Sequence, residues 1–161
     1  MEYKFVCKTT DDTKRLAEEM GKALHGGEVI EFHSDLGGGK TTFMKGLAVG
    51  MGVVDVVQSP TFSISQLHKA AHGLELHHFD FYRLDDPGVV RASLVESLAQ
   101  PNAVVAIEWG ETVHDVLGAN IISITLTVQD DDARVVTIAV PAVAEHVAKI
   151  LQNYQQNRTI A

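Results

Sequence analysis

Twelve residues constrain the fold more than any others in the chain: Glu31-Phe32-His33-Ser34-Asp35-Leu36-Gly37-Gly38-Gly39-Lys40-Thr41-Thr42. The apolar run Val29-Ile30-Glu31-Phe32 enters this stretch, three consecutive glycines interrupt it, and Thr41 to Met51 leaves it with helical character. Strand, glycine-rich loop, Lys-Thr and helix in that register make a phosphate-binding P-loop. Glycines let successive backbone N–H groups turn inward as an anion nest, and the helix adds the positive end of its dipole. The backbone of Asp35, Leu36, Gly37, Gly38 and Gly39 is thus the expected cradle. Lys40 supplies a point charge to the β- and γ-phosphates, and Thr41, followed by Thr42, offers a hydroxyl to Mg²⁺. Ser34 stands where the G-x-x-x-x-G-K-[ST] pattern has its first glycine, a small residue that can close the same turn.

A chain of 161 residues suits one domain, 1–161, with one sizeable core. A formal net charge of −8 argues against a broad nucleic-acid-binding face, so any RNA role is expected to run through a protein partner. Cys7 is the single cysteine, which excludes an internal disulfide and fits a cytoplasmic protein. The polar start Met1-Glu2-Tyr3-Lys4 does not read as a signal peptide, and no apolar run reaches the ~20 residues of a membrane helix.

Periodicity orders the rest. Tyr3 to Lys8 alternates as a strand. Thr10-Asp11-Asp12 offers an N-cap to a helix through Leu24, with Leu16, Met20, Ala23 and Leu24 on its apolar face. Glu28 to His33 is the strand feeding the loop, and Thr41 to Gly50 is the following helix, closed by Gly50 and Gly52. Val53 to Val57 is a short strand or the approach to a loop. Phe62 to Lys69 and Leu74 to Tyr82 form a hairpin about Ala70-Ala71-His72-Gly73. A helix from Asp86-Pro87 runs to about Ala99. Ala103 to Ile107, apolar throughout, predicts a strand buried on both faces. Asn120 to Val128 and Arg134 to Val140 make a second hairpin around Asp130-Asp131-Asp132, and a last helix runs from Pro141 to about Tyr154, with the chain frayed beyond. This order predicts an α/β fold, a three-layer P-loop NTPase domain whose mixed sheet is parallel at its centre with antiparallel hairpin additions.

A phosphate cradle needs acids to use what it binds, and open α/β sheets place them at strand ends. Glu108 directly follows the apolar strand, as a Walker B acid does, and would hold Mg²⁺ or activate water; the alternative is a solvated acid. Asp80, hemmed by aromatics in His77-His78-Phe79-Asp80-Phe81-Tyr82-Arg83, is a metal-linked or water-orienting acid, or else caps the next turn or pairs with Arg83. Thr61, in Ser59-Pro60-Thr61-Phe62, is a candidate switch threonine or an ordinary turn residue. Trp109 covers the site or packs a core edge. His77 and His78 fall on opposite faces of a strand, which argues against a shared zinc ion. The acidic run at 130–132 lacks the glycine and distal glutamate of a calcium loop and reads as a solvated turn.

Four motifs therefore follow in order: Ser34 to Thr42, Ser59-Pro60-Thr61-Phe62, His78-Phe79-Asp80-Phe81-Tyr82-Arg83-Leu84 and Ile107-Glu108-Trp109-Gly110-Glu111. This set resembles the TsaE family, also called YjeE, small bacterial ATPases of tRNA threonylcarbamoyladenosine synthesis, over the chain from its first strand to about Val128. The resemblance implies ATP and Mg²⁺ as cofactors, with Lys40, Thr41 and Thr42 on the triphosphate and metal. It implies that Thr61 lies in a switch-like loop, that Asp80 and Glu108 are the acids of hydrolysis and metal binding, and that Trp109 lies beside them at the nucleotide. It also implies two protein partners, TsaB and TsaD, which carry out the tRNA modification, with hydrolysis resetting the complex. Gly88-Val89-Val90 departs from the acids the family usually carries after Asp-Pro. Two other classes fit a P-loop: a small kinase of a nucleoside or metabolite, which needs clustered arginines in a lid, and a nucleotide-dependent assembly module without turnover.

Overall fold

The computed structural model describes residues 1–57, 64–82, 84, 86, 88–129 and 133–160. The expectations for Ser59 to Phe62, Arg83, Pro87 and Asp130 to Asp132 lie outside these residues.

Seven strands form one mixed sheet: β1 (Glu2–Cys7), β2 (Val29–His33), β3 (Ser65–Lys69), β4 (Glu75–Asp80), β5 (Ala103–Glu108), β6 (Ile121–Val128) and β7 (Arg134–Ala139). Their spatial order is β1-β7-β6-β2-β5-β4-β3. β6, β2, β5 and β4 run parallel; β3 adds antiparallel to β4, and β7 and β1 add antiparallel beyond β6. Among the described residues five helices accompany the sheet: α1 (Thr10–Ala23), α2 (Lys40–Met51), α3 (Gly88–Leu98), α4 (His114–Leu117) and α5 (Glu145–Ile160). The parallel centre with hairpin additions is as the sequence predicts. Among the described residues no helix is long and apolar enough to cross a membrane.

The two faces carry unequal cores. Leu16 and Met20 of α1, Phe43, Met44 and Leu47 of α2, and Val147 and Leu151 of α5 pack over Ile30, Phe32, Leu76, Val104, Ile122 and Ile124. On the opposite face Leu94 of α3 and Leu117 of α4 cover Phe79, Val105 and Ile107. Strand β5 is buried at every position, which is why its sequence is apolar without alternation.

Helices α1 and α2 touch through glycines. A Cβ on Gly50 would lie 2.1 Å from the Glu18 carbonyl oxygen, and one on Gly46 2.4 Å from that of Lys14. Gly50 is therefore a packing residue inside α2, not its end as the sequence suggests; Gly52, at φ 78°, is the C-cap.

Other boundaries shift for local reasons. Thr9, one residue before the expected cap, caps α1: its hydroxyl accepts from Asp12 N–H while Asp12 Oδ2 accepts from Thr9 N–H, a reciprocal box. The segment Val53–Val57 forms no strand; Val54 and Val56 are exposed, Val57 is buried in the core and Val53 packs against it. The last helix continues to Ile160 rather than ending near Tyr154, because it lies along β1, where the Arg158 guanidinium donates to the Val6 carbonyl at 3.1 Å.

Candidate functional site

The parallel strands β2, β5 and β4 end side by side, and their register decides what meets there. Phe32 pairs with Glu108, and Glu108 with Asp80, so three residues form one row at the C-terminal edge of the sheet. Parallel partners share a face, so Glu108 and Asp80 lie on the face that carries α2. From β2 the chain passes at once into the glycine-rich loop. Gly39 precedes α2 with φ 109°, a left-handed conformation that side chains resist, and a Cβ there would lie 3.6 Å from Leu126 and 3.7 Å from Arg134 Nε. The first N–H groups of the twelve-residue α2 thus open at this edge.

Lys40, 7% exposed, folds back over the loop. Its ammonium donates to the Ser34 carbonyl at 3.1 Å, to Ser34 Oγ at 3.0 Å and to the Asp35 carbonyl at 3.2 Å. Ser34, the departure from the usual glycine, is therefore one of the groups that hold the lysine. The same ammonium sits 4.8 Å from the centre of the Trp109 ring, within cation–π range. Trp109 itself has φ 57°, and its ring packs against Tyr82 with centroids 5.0 Å apart. Both readings the sequence leaves open for Trp109 have a counterpart: its ring lies by the lysine, and it packs against the edge of the core around Phe79, Leu94 and Ile107.

Glu108 is not a solvated acid: it is 4% exposed, and its Oε1 accepts from His78 Nε2 at 2.9 Å. Asp80 is half-buried, and its Oδ1 accepts from the Tyr82 N–H at 2.9 Å, so it caps the turn after β4. Burial pushes the Asp80 carboxyl above the usual carboxylate range; the Tyr82 N–H opposes this, the Glu108 charge adds to it, and His78 and Lys40 pull back. Thr41 and Thr42 lie partly exposed in the first turn of α2; Asp35, Leu36 and Gly37 are exposed on the loop, with Gly38 buried beneath. The structure thus brings together Asp35 to Thr42, Asp80, Glu108 and Trp109, whereas Thr61 lies outside the described residues. All the oxygen donors here, hydroxyl and carboxylate, suit a hard cation such as Mg²⁺.

Three neighbours were not singled out by sequence for this place. Ser34 was noted only as a deviation. His78 stands in the sequence as a metal-type side chain and as the start of the Asp80 motif, and its i, i+2 relation to Asp80 puts both on one face of a strand. Arg134 comes from β7, ninety-six residues away, to donate from Nε to the Gly38 carbonyl at 3.2 Å. No local pattern signals that contact.

One group of metal-type side chains lies elsewhere, at the start of β2. His25, Glu28 and His146 converge, with Glu28 Oε1 2.8 Å from His146 Nε2 and 3.2 Å from His25 Nδ1. Glu28 also accepts the backbone N–H groups of His25 and Gly26, at 3.1 and 2.9 Å. The cluster is closed by its own hydrogen bonds and ties the loop after α1 to α5. His77, by contrast, bonds Ser97 Oγ at 2.7 Å on the far face of β4 from His78, as strand alternation requires.

Fold and site together define a class: an α/β protein with a mixed seven-stranded sheet, a glycine-rich loop closing on a lysine at the parallel edge, and two carboxylates in the adjoining strand ends. Within that class the chain belongs to the TsaE family: the family model described as threonylcarbamoyl adenosine biosynthesis protein TsaE matches residues 7–136. The tRNA threonylcarbamoyladenosine biosynthesis protein TsaE of Treponema pallidum is 35% identical over 135 residues, covering 83% of this chain and 98% of that protein. Its counterpart in Bacillus subtilis is 32% identical over 127 residues, 79% of this chain and 78% of that one. The crystal structure of Bacillus subtilis YdiB superposes with a TM-score of 0.78 at 27% identity, covering 96% of this chain and 97% of that one.

Proposed function

We propose that this chain is a P-loop NTPase that binds and hydrolyses ATP in support of a TsaB–TsaD pair making threonylcarbamoyladenosine in tRNA. The observation that carries the reading is the convergence of Lys40, Glu108 and Asp80 at the edge where α2 begins. The backbone from Asp35 to Gly39, with Lys40, Thr41 and Thr42, would take the phosphates. Lys40 already binds three oxygen acceptors, Ser34 O, Ser34 Oγ and Asp35 O, and a phosphate oxygen offers it the same chemistry with a full charge. Thr41, Glu108 and Asp80 would hold Mg²⁺, which neutralises charge on the phosphates when bound. Glu108, which accepts from His78, and Asp80 would orient the attacking water, with the Trp109 ring against the lysine.

The kinase alternative draws no support from the described arginines. Arg15 pairs with Asp12, Arg91 with Asp115, and Arg158 holds β1; Arg134 alone among them reaches the loop. A P-loop protein without a cluster of such groups turns over slowly unless a partner orders a switch or adds a charge, as a GTPase-activating protein does. The Thr61 loop is the segment proposed for the partners to act on. The acidic balance makes a protein the first contact, with tRNA reached through the complex in the cytoplasm.

The test is phosphate release from ATP by the purified chain, alone and with TsaB and TsaD, beside Lys40→Ala and Thr61→Ala. Slow basal release, stimulation by the pair, loss of both nucleotide binding and release in Lys40→Ala, and loss of stimulation in Thr61→Ala are expected. Wild-type-like affinity and turnover in Lys40→Ala would sink the nucleotide site. Equal rates with and without partners, where a complex demonstrably forms, would overturn the partner role.

A further inference from the structure

The contact behind Glu108 is built from strand register. His78 lies beside Ala106 in the β4–β5 ladder, and Glu108 is the next residue of β5 on the same face. Ala106 has almost no side chain, so the imidazole can cross it to meet the carboxylate, Nε2 to Oε1, at 2.9 Å. Both groups are out of solvent, His78 at 1% and Glu108 at 4% exposure. A carboxylate at this contact only accepts, so Nε2 is the donor and Nδ1 needs a partner of its own.

No described residue supplies one. His78 Nδ1, Gln66 Oε1 and His68 Nε2 are each buried with no hydrogen-bond partner. The three are not scattered. Gln66 stands directly across from His78 in the β3–β4 ladder, and His68 is the next residue of β3 on the same face. A single buried polar atom left unpaired costs about 1–3 kcal/mol, and three on neighbouring positions of one face mark a shared polar site rather than three separate defects. A buried water typically makes about three hydrogen bonds, and one such water can donate to Gln66 Oε1 while serving both ring nitrogens.

We propose that His78 is the positioning residue of this site: it fixes the Glu108 carboxylate in one orientation, and Gln66 and His68 fix His78 through a buried water. The inference rests on the hydrolase reading for its kinetic consequence, but not for its geometry. Glu108 then has one oxygen held and the other left for the cation or the attacking water. The strand ladder, rather than a mobile loop, sets its direction.

The experiment compares His78→Ala and His78→Gln, each alone and in a Glu108→Gln background, in the chain bound to its partner pair. Gln is the conservative variant, since its amide can donate where Nε2 does. Expected are a fall in kcat of about 10–100-fold for His78→Ala with nucleotide Kd within about threefold, and recovery of most of the loss in His78→Gln. No further loss is expected when His78→Ala is added to Glu108→Gln, because a residue that acts through another is silent once that other is gone. Losses that add in the double variant, or a Gln variant as poor as Ala at equal melting temperature, would overturn the proposal. A second readout needs no turnover: a high-resolution crystal structure should show an ordered water among Gln66, His68 and His78, and a rotated Glu108 in whichever His78 variant crystallises without the contact. An unmoved Glu108 there would overturn the positioning role. Absence of ATP hydrolysis by the wild-type complex would instead remove the hydrolase reading, and the crystal comparison would still decide the geometry.

Discussion

Of three buried glutamates among the described residues, Glu31 lies within β2, and the other two stand at opposite ends of the parallel strands, each met by histidine. Glu28, 7% exposed, precedes β2; Glu108, 4% exposed, ends β5. Glu28 is held by several bonds: Oε1 accepts the His25 N–H and His146 Nε2, with His25 Nδ1 3.2 Å away, and Oε2 accepts the Gly26 N–H. Glu108 has His78 on Oε1, and it stands in the row that Asp80 shares, one residue from the tryptophan under Lys40. A buried carboxylate is costly unless hydrogen bonds repay its lost hydration. At Glu28 the repayment is local and made by several bonds, which tie the loop after α1 to α5. At Glu108 it comes through one imidazole, on Oε1. The residue type is the same; what differs is how many of its acceptor sites the fold has already filled.

The largest effect that tests this contrast is on turnover. Glu108→Gln should lose about 100-fold or more of ATP hydrolysis while nucleotide affinity stays within about tenfold, or ~1.4 kcal/mol, since a water-orienting group matters most in the transition state. The matching change at the other end, Glu28→Ala, should leave turnover per folded molecule intact. It strands the N–H groups of His25 and Gly26, so a stability loss of about 2 kcal/mol is expected, or a Tm lower by about 4–8 °C. Denaturation curves and phosphate release on both variants settle it. If Glu28→Ala abolished hydrolysis in the folded protein, or Glu108→Gln cost as much stability as Glu28→Ala, the distinction would collapse.

Neither glutamate's surroundings could be read from the chain as a string. The sequence singles out Glu108, because an all-apolar run ending in an acid marks the end of a buried strand in an α/β sheet. It announces the loop too, since glycine, lysine and threonine act there through local backbone geometry. The His78 contact is different. It depends on β4 and β5 pairing in one register out of several, and on Ala106 being small at the crossing point. Thirty residues separate the partners, and nothing between them encodes the alignment. Arg134 reaching Gly38 is the same case at longer range. Gly50 misled for the opposite reason: a glycine near a helix end usually closes it, and only the proximity of α1 shows that the missing side chain serves packing. Local backbone signals and most of the order of elements are legible; contacts made by strand register and helix approach are not.

The smallest effect concerns Asp80, which lies between the two glutamates in character. One of its oxygens is engaged, by the Tyr82 N–H, yet burial still dominates and holds its carboxyl above the usual carboxylate range. A carboxyl whose pKa is raised by folding binds its proton more tightly in the native state than in the unfolded one. Below the unfolded value both states are protonated and no difference arises. As pH climbs from the unfolded to the folded value, stability is lost, and at neutral pH the whole cost is present. Asp80→Asn removes that cost while keeping an oxygen for the Tyr82 N–H. The nucleotide-free variant should therefore melt slightly above wild type at pH 7, with the gap closing on acidification through the carboxylate range, even as hydrolysis falls. Melting curves across pH on the two proteins decide it. A variant less stable than wild type at pH 7, or a gap that does not shrink in acid, would mean that the Tyr82 bond already offsets burial and that Asp80 belongs with Glu28 as a fastener. The expected result would place it with Glu108, as a group the fold keeps at a cost because the site uses its charge.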